Sequence, residues 1–183
     1  MVESTGPRTV AFRVDASLEI GNGHVMRCLV LADALRQRGF ESHFLCRRLH
    51  GNLGETIQRR GHILHWVGQA DGRVAALGRD DSYEHWLGVP WRQDMREANA
   101  ILEQLTPAWV VVDHYALDAK WEASVRELGT RVFVIDDLAN RAHEADALLD
   151  QNLGRVERDY APYLPTTCRR FLGPDFALLK PEF

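Results

Sequence analysis

The sequence has no continuous apolar run that approaches the ~20 residues needed for a membrane-spanning helix. It also has no block of like charges: 22 basic and 26 acidic residues are interspersed, and the formal net charge is -4. This balance argues against nucleic acid or an anionic membrane as the main partner. Residues 1–9 are polar and lack the apolar core of a signal peptide. We therefore expect a soluble, cytoplasmic protein.

Cysteine is scarce, and Cys28, Cys46 and Cys168 show no Cys-x-x-Cys spacing. Cys28 falls on an apolar helical face and Cys46 ends an apolar segment, so we expect packed thiols in a reducing compartment. The eight histidines are scattered, and no i, i+4 pair encloses a carboxylate as in helical zinc sites. We therefore expect no catalytic metal, and no motif requires a cofactor.

Short apolar segments alternate with amphipathic ones along most of the chain. Strands are predicted at 10–14, 42–46, 62–67, 109–112, 131–135 and 147–149, and helices at 25–38, 51–60, 94–105 and 118–128. This alternation is typical of a parallel sheet with crossover helices. We therefore expect an α/β fold: a Rossmann-like parallel sheet with helices on both faces. Beyond residue 150 the sequence is irregular, with Pro162, Pro165 and Pro174.

A glycine loop joins the first strand to the first helix. Gly21 and Gly23 lack a Cβ, so the backbone can turn sharply there and a ligand can approach closely. Asn22 is the predicted N-cap. His24 then lies at the positive end of the helix, where a cation is disfavoured. This position predicts a lowered pKa and a neutral base at pH 7.

Polar side chains follow three predicted strands at their C-terminal ends. They are Asp15 after the first strand, Asp113, His114 and Tyr115 after the fourth, and Asp136 and Asp137 after the fifth. Ligands of open α/β sheets bind in the crevice at this edge. One aspartate after a strand is often only a turn or helix cap. Three such strand ends beside a glycine loop predict a binding site.

These motifs allow two other interpretations. The glycine loop could bind a dinucleotide, but that fingerprint requires a third glycine where this chain has the large Met26. Asp136 and Asp137 could be the acid–base pair of a glycosidase. Adjacent residues at a strand end point in different directions, however, so one of the two is expected to be a cap.

The stretch 68–94 is long for a loop inside a compact domain. It is rich in glycine and polar residues, yet it carries Tyr83, Trp86 and Trp91, and these aromatic residues favour an ordered segment. The three rings could form a sugar-stacking platform, or they could only anchor the loop.

Six motifs resemble those of a known family, in the same order. They are Arg13-x-Asp15, Ile20-Gly-Asn-Gly-His-Val-Met-Arg27, Tyr83-Glu-His-Trp-Leu-Gly-Val89, Asp113-His-Tyr115, Ile135-Asp-Asp-Leu-Ala-Asn-Arg141 and Leu149-Asp-Gln-Asn152. Over residues 9–183 the chain resembles the UDP-2,4-diacetamido-2,4,6-trideoxy-β-L-altropyranose hydrolases of pseudaminic acid biosynthesis. That family looks like the two-domain GT-B glycosyltransferases but transfers the sugar to water.

The resemblance implies that His24 is the general base that activates water, with inversion at the anomeric carbon, release of UDP and no metal. It also implies a substrate-binding set around that base. This set comprises Arg13, Asp15, Gly21, Gly23, Arg27, Asp113, His114, Tyr115, Asp136 and Asp137. A glycosyltransferase of similar build, or a non-catalytic sugar-nucleotide binding module, is the alternative.

The resemblance further implies a division of the chain. We expect a polar or disordered tail at 1–8, the Rossmann-like N-terminal domain at 9–172 and the start of an interdomain linker at 173–183. The C-terminal domain that would bind most of the nucleotide is then absent, and it is the expected partner besides the UDP-sugar substrate.

Overall fold

The computed structural model describes residues 8–68 and 83–179, which form one seven-stranded sheet flanked by helices. The strands are β1 (Arg8–Val14), β2 (Phe40–Cys46), β3 (Ile63–Trp66), β4 (Trp109–Asp113), β5 (Arg131–Ile135), β6 (Ala147–Asp150) and β7 (Arg169–Leu172). The helices are α1 (Gly23–Arg36), α2 (Gly54–Arg59), α3 (Trp91–Leu105), α4 (Ala119–Glu127) and α5 (Glu157–Tyr160). The strand order is β3-β2-β1-β4-β5-β6-β7, and every neighbouring pair is parallel.

The direction of each crossover decides which face a helix covers. Right-handed connections place α1 and α2 on one face, because the chain moves from β1 towards β3, and place α3 and α4 on the other. Two apolar clusters agree with this arrangement. Val25 and Leu29 of α1 pack in one cluster, whereas Leu102 of α3 and Trp121 of α4 pack in the other.

Strand β1 shows how the sequence builds this two-sided core. Its residues alternate between the faces: Val10, Phe12 and Val14 join the α1 cluster, and Ala11 joins the α3–α4 cluster. All four are buried. Apart from the buried Arg13, residues 10–14 are apolar on both faces, as expected of a central parallel strand that is covered on both sides.

Two parts of the prediction were wrong in detail. Helix α3 begins at Trp91, after Pro90 at the N-cap, and not at Asp94. Asp94 lies in the first turn of this helix, fully buried, and accepts from Arg13 and Arg47. The chain beyond residue 150 is also not irregular, since it forms α5 before Pro162 and β7 between Pro165 and Pro174.

The predicted tail at 1–8 lies outside the described residues except for Arg8, which begins β1. Residues 69–82 of the long polar stretch lie outside them as well. Of the predicted linker, residues 174–176 form a 3₁₀ turn and residues 180–183 are not described, so the linker stays a prediction. No helix in the described part of the chain is long and apolar enough to cross a bilayer.

Candidate active site

The predicted strand ends lie side by side, because β1, β4 and β5 are adjacent in the sheet. Asp15 follows β1, and Asp113 ends β4 beside it. The glycine loop brings the start of α1 over the same edge. It is closed by a bridge in which Gly21 N–H donates to Ser17 O at 2.9 Å, and Gly21 adopts φ +80°, a conformation that favours glycine.

The other two loop residues differ in what they contribute. Among the described residues, apart from the chain neighbours and the backbone of α1, no atom lies within 4 Å of the position that a Cβ on Gly23 would take. Asn22 occupies the N-cap position, as predicted, but its side chain makes no capping hydrogen bond. The first-turn N–H groups of α1 are therefore not satisfied by that side chain.

His24 and Asp113 form a carboxylate–histidine pair. His24 Nδ1 lies 2.8 Å from Asp113 Oδ1, and the His24 side chain is 10% exposed while Asp113 is fully buried. A proton on Nδ1 leaves Nε2 as the basic atom. Within residues 8–68 and 83–179, Nε2 has no hydrogen-bond partner. Asp113 therefore fixes the position of Nδ1, and Nε2 is the ring nitrogen that can accept a proton.

Arg27 fixes the carboxylate of this pair. Its Nε and Nη2 donate to the two oxygens of Asp113 at 2.6 and 2.7 Å, a bidentate ion pair, and its Nη1 donates to Asp137 Oδ2 at 2.6 Å. Cys28 Sγ also lies 3.5 Å from Asp113 Oδ2. Three residues of α1, namely His24, Arg27 and Cys28, thus contact the Asp113 carboxylate.

The predicted pKa of His24 was wrong in direction. Burial disfavours the imidazolium, but the charge of Asp113 and its hydrogen bond outweigh burial and raise the pKa of His24. The helix start was visible in the sequence, whereas the carboxylate that approaches from 89 residues further along the chain was not. Burial opposes the Asp113 carboxylate, but its bonds to Arg27 and His24 hold its pKa well below the usual range.

An aromatic cluster of Tyr83, Trp86 and Tyr115 borders His24. The ring centroids of His24 and Tyr115 are 4.6 Å apart, and those of Trp86 and Tyr115 are 5.5 Å apart in a stacked arrangement. Tyr115 OH donates to Asp137 Oδ2 at 2.8 Å. Burial, then the nearby Asp137 carboxylate, raise the pKa of Tyr115, so the phenol keeps its proton. Tyr115 is therefore a wall of the site and not a base.

Arg13 and Asp15 lie beneath this site. Both side chains are fully buried, and Arg13 Nη2 lies 2.9 Å from Asp15 Oδ2 and 2.6 Å from Asp94 Oδ2. Asp94 also accepts from Arg47 Nε and Trp121 Nε1. Neither side chain is exposed, and both support the ends of β1 and β2: Arg13 Nη1 donates to Leu45 O, and Asp15 Oδ1 accepts from Arg47 N–H. Their part in substrate binding stays a prediction.

Sequence reasoning missed Asp94 and Arg47, although one signal pointed to them. The alternation along β1 places Arg13 on the same face as the buried Ala11, and a buried arginine requires a carboxylate partner. His114 belongs to this buried layer too. Its Nδ1 accepts from Ala116 N–H at 3.2 Å, and burial lowers its pKa, so it is neutral at pH 7.

Asp136 and Asp137 have separate roles, which agrees with the expectation that one of the two is a cap and argues against an acid–base pair. Asp136 is buried and accepts from Arg141 Nη1, Tyr160 OH and the N–H of Ala139, so it organises its own loop. Asp137 faces Arg27 and Tyr115 at the site. The structure therefore brings His24, Arg27, Asp113, Tyr115 and Asp137 together and places Arg13, Asp15, His114 and Asp136 behind them.

No protein-family model matches the chain. Over 175 residues, 95% of the chain, it is 28% identical to the UDP-2,4-diacetamido-2,4,6-trideoxy-beta-L-altropyranose hydrolase of Campylobacter jejuni. The resemblance seen in the motifs is confirmed. The chain spans about half, 53%, of the length of this curated relative.

Two solved structures share the fold. MurG of Acinetobacter baumannii superposes with a TM-score of 0.57 at 14% identity, over 90% of this chain and 44% of that one. The glycosyltransferase SsfS6 of Streptomyces sp. SF2575 gives a TM-score of 0.52 at 16% identity, over 79% of this chain and 50% of that one. The predicted fold class, a Rossmann-like half of a GT-B architecture, is confirmed.

Proposed function

We propose that the chain carries the catalytic base and the sugar-binding side of a UDP-sugar hydrolase. The substrate class is a UDP-linked 2,4-diacetamido-2,4,6-trideoxyhexose, as in the name of the Campylobacter jejuni relative. The observation that carries the proposal is the His24–Asp113 pair, 2.8 Å apart, at the edge of the sheet where ligands of this fold class bind. The products are UDP and the free sugar, in pseudaminic acid biosynthesis.

The chemistry requires one base. His24 Nε2 takes a proton from water as the water oxygen bonds to the anomeric carbon, and the bond from that carbon to the diphosphate oxygen breaks. Attack from the side opposite UDP inverts the configuration. The diphosphate leaves as a stable anion, so protonation of the leaving group matters less than a well-placed base. The base is an imidazole in this proposal, and no step uses a metal-bound hydroxide.

The surrounding charges favour the proton transfer. Arg27 is one cation between the two carboxylates of Asp113 and Asp137, so these three side chains carry an excess negative charge. When His24 becomes an imidazolium, that excess is neutralised in a largely buried setting. Asp113 also holds the proton on Nδ1, which keeps the lone pair of Nε2 directed away from the carboxylate.

We further propose that most of the nucleotide site belongs to a second domain. The chain matches only 53% of its relative, and the structure describes a single sheet. The isolated chain is then expected to bind UDP weakly. The location we propose for the protein is the cytoplasm. Calorimetry with UDP tests this part: micromolar affinity of the 183 residues alone would contradict it.

The test of the reaction is UDP release from the altropyranose nucleotide by the complete gene product and by its His24→Gln variant. Release by the parent, with a loss of about 10²-fold or more in the variant, is the expected result. The fold shared with SsfS6 favours a second candidate, transfer of the sugar to an acceptor other than water. Product analysis with and without acceptors separates the two reactions.

A further inference from the structure

Trp86 belongs to neither apolar cluster of the domain. The short 3₁₀ turn Glu84–Leu87 is anchored by Leu87, which is fully buried in the α3–α4 cluster, and Tyr83 packs against the same cluster. Trp86 is only partly buried, and its ring contacts the aromatic rings around His24. Leu87 and Tyr83 thus account for the anchoring of the turn, and the position of Trp86 requires another explanation.

The backbone around Trp86 is held in an uncommon conformation. Tyr83 has φ +57°, and Gly88, at the other end of the turn, has φ +68°. A tyrosine with positive φ is unfavourable by roughly 1–3 kcal/mol, and such conformations occur preferentially at functional sites. This turn places the indole of Trp86 next to His24: the ring centroids are 6.2 Å apart and the ring planes are at 82°.

We propose that Trp86, together with the ring of Tyr115, forms an apolar wall that contacts the methyl-bearing face of a deoxy sugar. This inference rests on the proposed function, because it places that sugar's anomeric carbon beside His24. A trideoxy diacetamido sugar carries a methyl group at C6 and two acetyl methyl groups. Aromatic rings contact such surfaces favourably, whereas a hydroxyl group pressed against them loses its hydrogen bonds to water.

The wall predicts selectivity between sugars that differ only at C6. An apolar pocket rejects an analogue with one added hydroxyl by no more than about 10²-fold in kcat/KM. We therefore expect the complete gene product to prefer the 6-deoxy nucleotide over its 6-hydroxy analogue by about 10- to 100-fold. Trp86→Ala should lower kcat/KM for the 6-deoxy nucleotide more than for the analogue, chiefly through KM, and Trp86→Phe should restore much of the preference.

Trp109→Ala is the matched control, because it removes an indole from the first residue of β4. This residue lies at the N-terminal end of the strand, whereas the site lies at the C-terminal ends. Trp109→Ala should leave the preference unchanged. An equal loss for both nucleotides in Trp86→Ala, or no loss for either, would overturn the proposal. Circular dichroism of all three variants shows whether each one is folded.

A binding measurement separates this proposal from the reaction itself. In saturation-transfer NMR, the aromatic protons of the 183-residue chain are saturated in the presence of the free 2,4-diacetamido-2,4,6-trideoxy sugar, and the transfer of saturation to the sugar protons is measured. Transfer to the sugar methyl groups is expected in the parent and in Trp109→Ala, with loss in Trp86→Ala. If UDP release fails but this pattern holds, the reaction is wrong and the wall stands. Equal transfer in Trp86→Ala would refute the wall even if UDP is released.

Discussion

Replacement of Asp113 by asparagine probes the electrostatics of the proposed base. Asp113 accepts from His24 at 2.8 Å and from Arg27 at 2.6 and 2.7 Å, and it is fully buried. Asparagine keeps the size of the side chain but removes the charge. It can also present its NH₂ group to His24 Nδ1, which would move the imidazole proton to Nε2, the atom that must accept a proton.

The size of the effect follows from the bond that is lost. A hydrogen bond to a charged group contributes about 1.5–3 kcal/mol, and each 1.36 kcal/mol changes a rate about tenfold. Asp113→Asn should therefore lower kcat/KM for UDP release by roughly 10- to 150-fold at alkaline pH, where His24 is deprotonated in both proteins.

The pH dependence gives a sharper prediction. The active form of a base is deprotonated, and Asp113 raises the pKa of His24, so the parent rate should rise with pH along a limb centred above the ordinary histidine value. Without the carboxylate, burial dominates and the limb should move to lower pH. The variant should consequently lose less at acid pH than at alkaline pH.

The assay is UDP release by the complete gene product from pH 5 to 9. Asp146→Asn is the control, because Asp146 accepts from Val132 N–H at 2.8 Å before β6, away from the site, and its variant should keep the parent profile. A parent limb below the ordinary histidine value, or a limb that Asp113→Asn leaves in place, would refute the assignment of His24 and Asp113 as a coupled pair.

Two predictions concern stability and are checked by urea unfolding of the 183-residue chain. Asp94→Asn leaves Arg13 and Arg47 buried with one carboxylate fewer, so it should lower the free energy of unfolding by about 3–5 kcal/mol. Glu97→Gln, at the less buried end of the same network, should cost less than Asp94→Asn, and equal losses would contradict this account. Thr106 ends α3 at φ +42°, so Thr106→Gly should raise stability by about 0.5–1 kcal/mol, whereas a loss would show that the threonine is not strained.

The central sheet could be predicted because its signals are local. The segment 109–112 is continuously apolar, 10–14 and 131–135 are apolar apart from Arg13 and Arg131, and glycines follow the ends of α1, α2 and α4. The alignment of Asp15, Asp113 and Asp136 at one edge followed from the rules of parallel sheets, and the described strands confirm it. The edge strand β7 was missed because its residues Arg169–Leu172 are half-exposed and only partly apolar.

The assignment of side chains within the site was harder to predict. Arg13 and Asp94 are 81 residues apart, and no periodic pattern relates them. The pKa of His24 depends on two opposing effects, burial and a carboxylate from β4, and only the position of the helix start could be read from the sequence. Adjacency at the sheet edge was predictable, whereas the pairing of charges depends on three-dimensional distances.

UDP release from the altropyranose nucleotide, measured for the complete gene product beside its His24→Gln variant, tests the central claim most directly. The account predicts release by the parent and a loss of about 10²-fold or more in a folded variant. Equal release by both proteins would show that His24 is not the base. No release by the folded parent would contradict the hydrolase and favour transfer of the sugar to another acceptor.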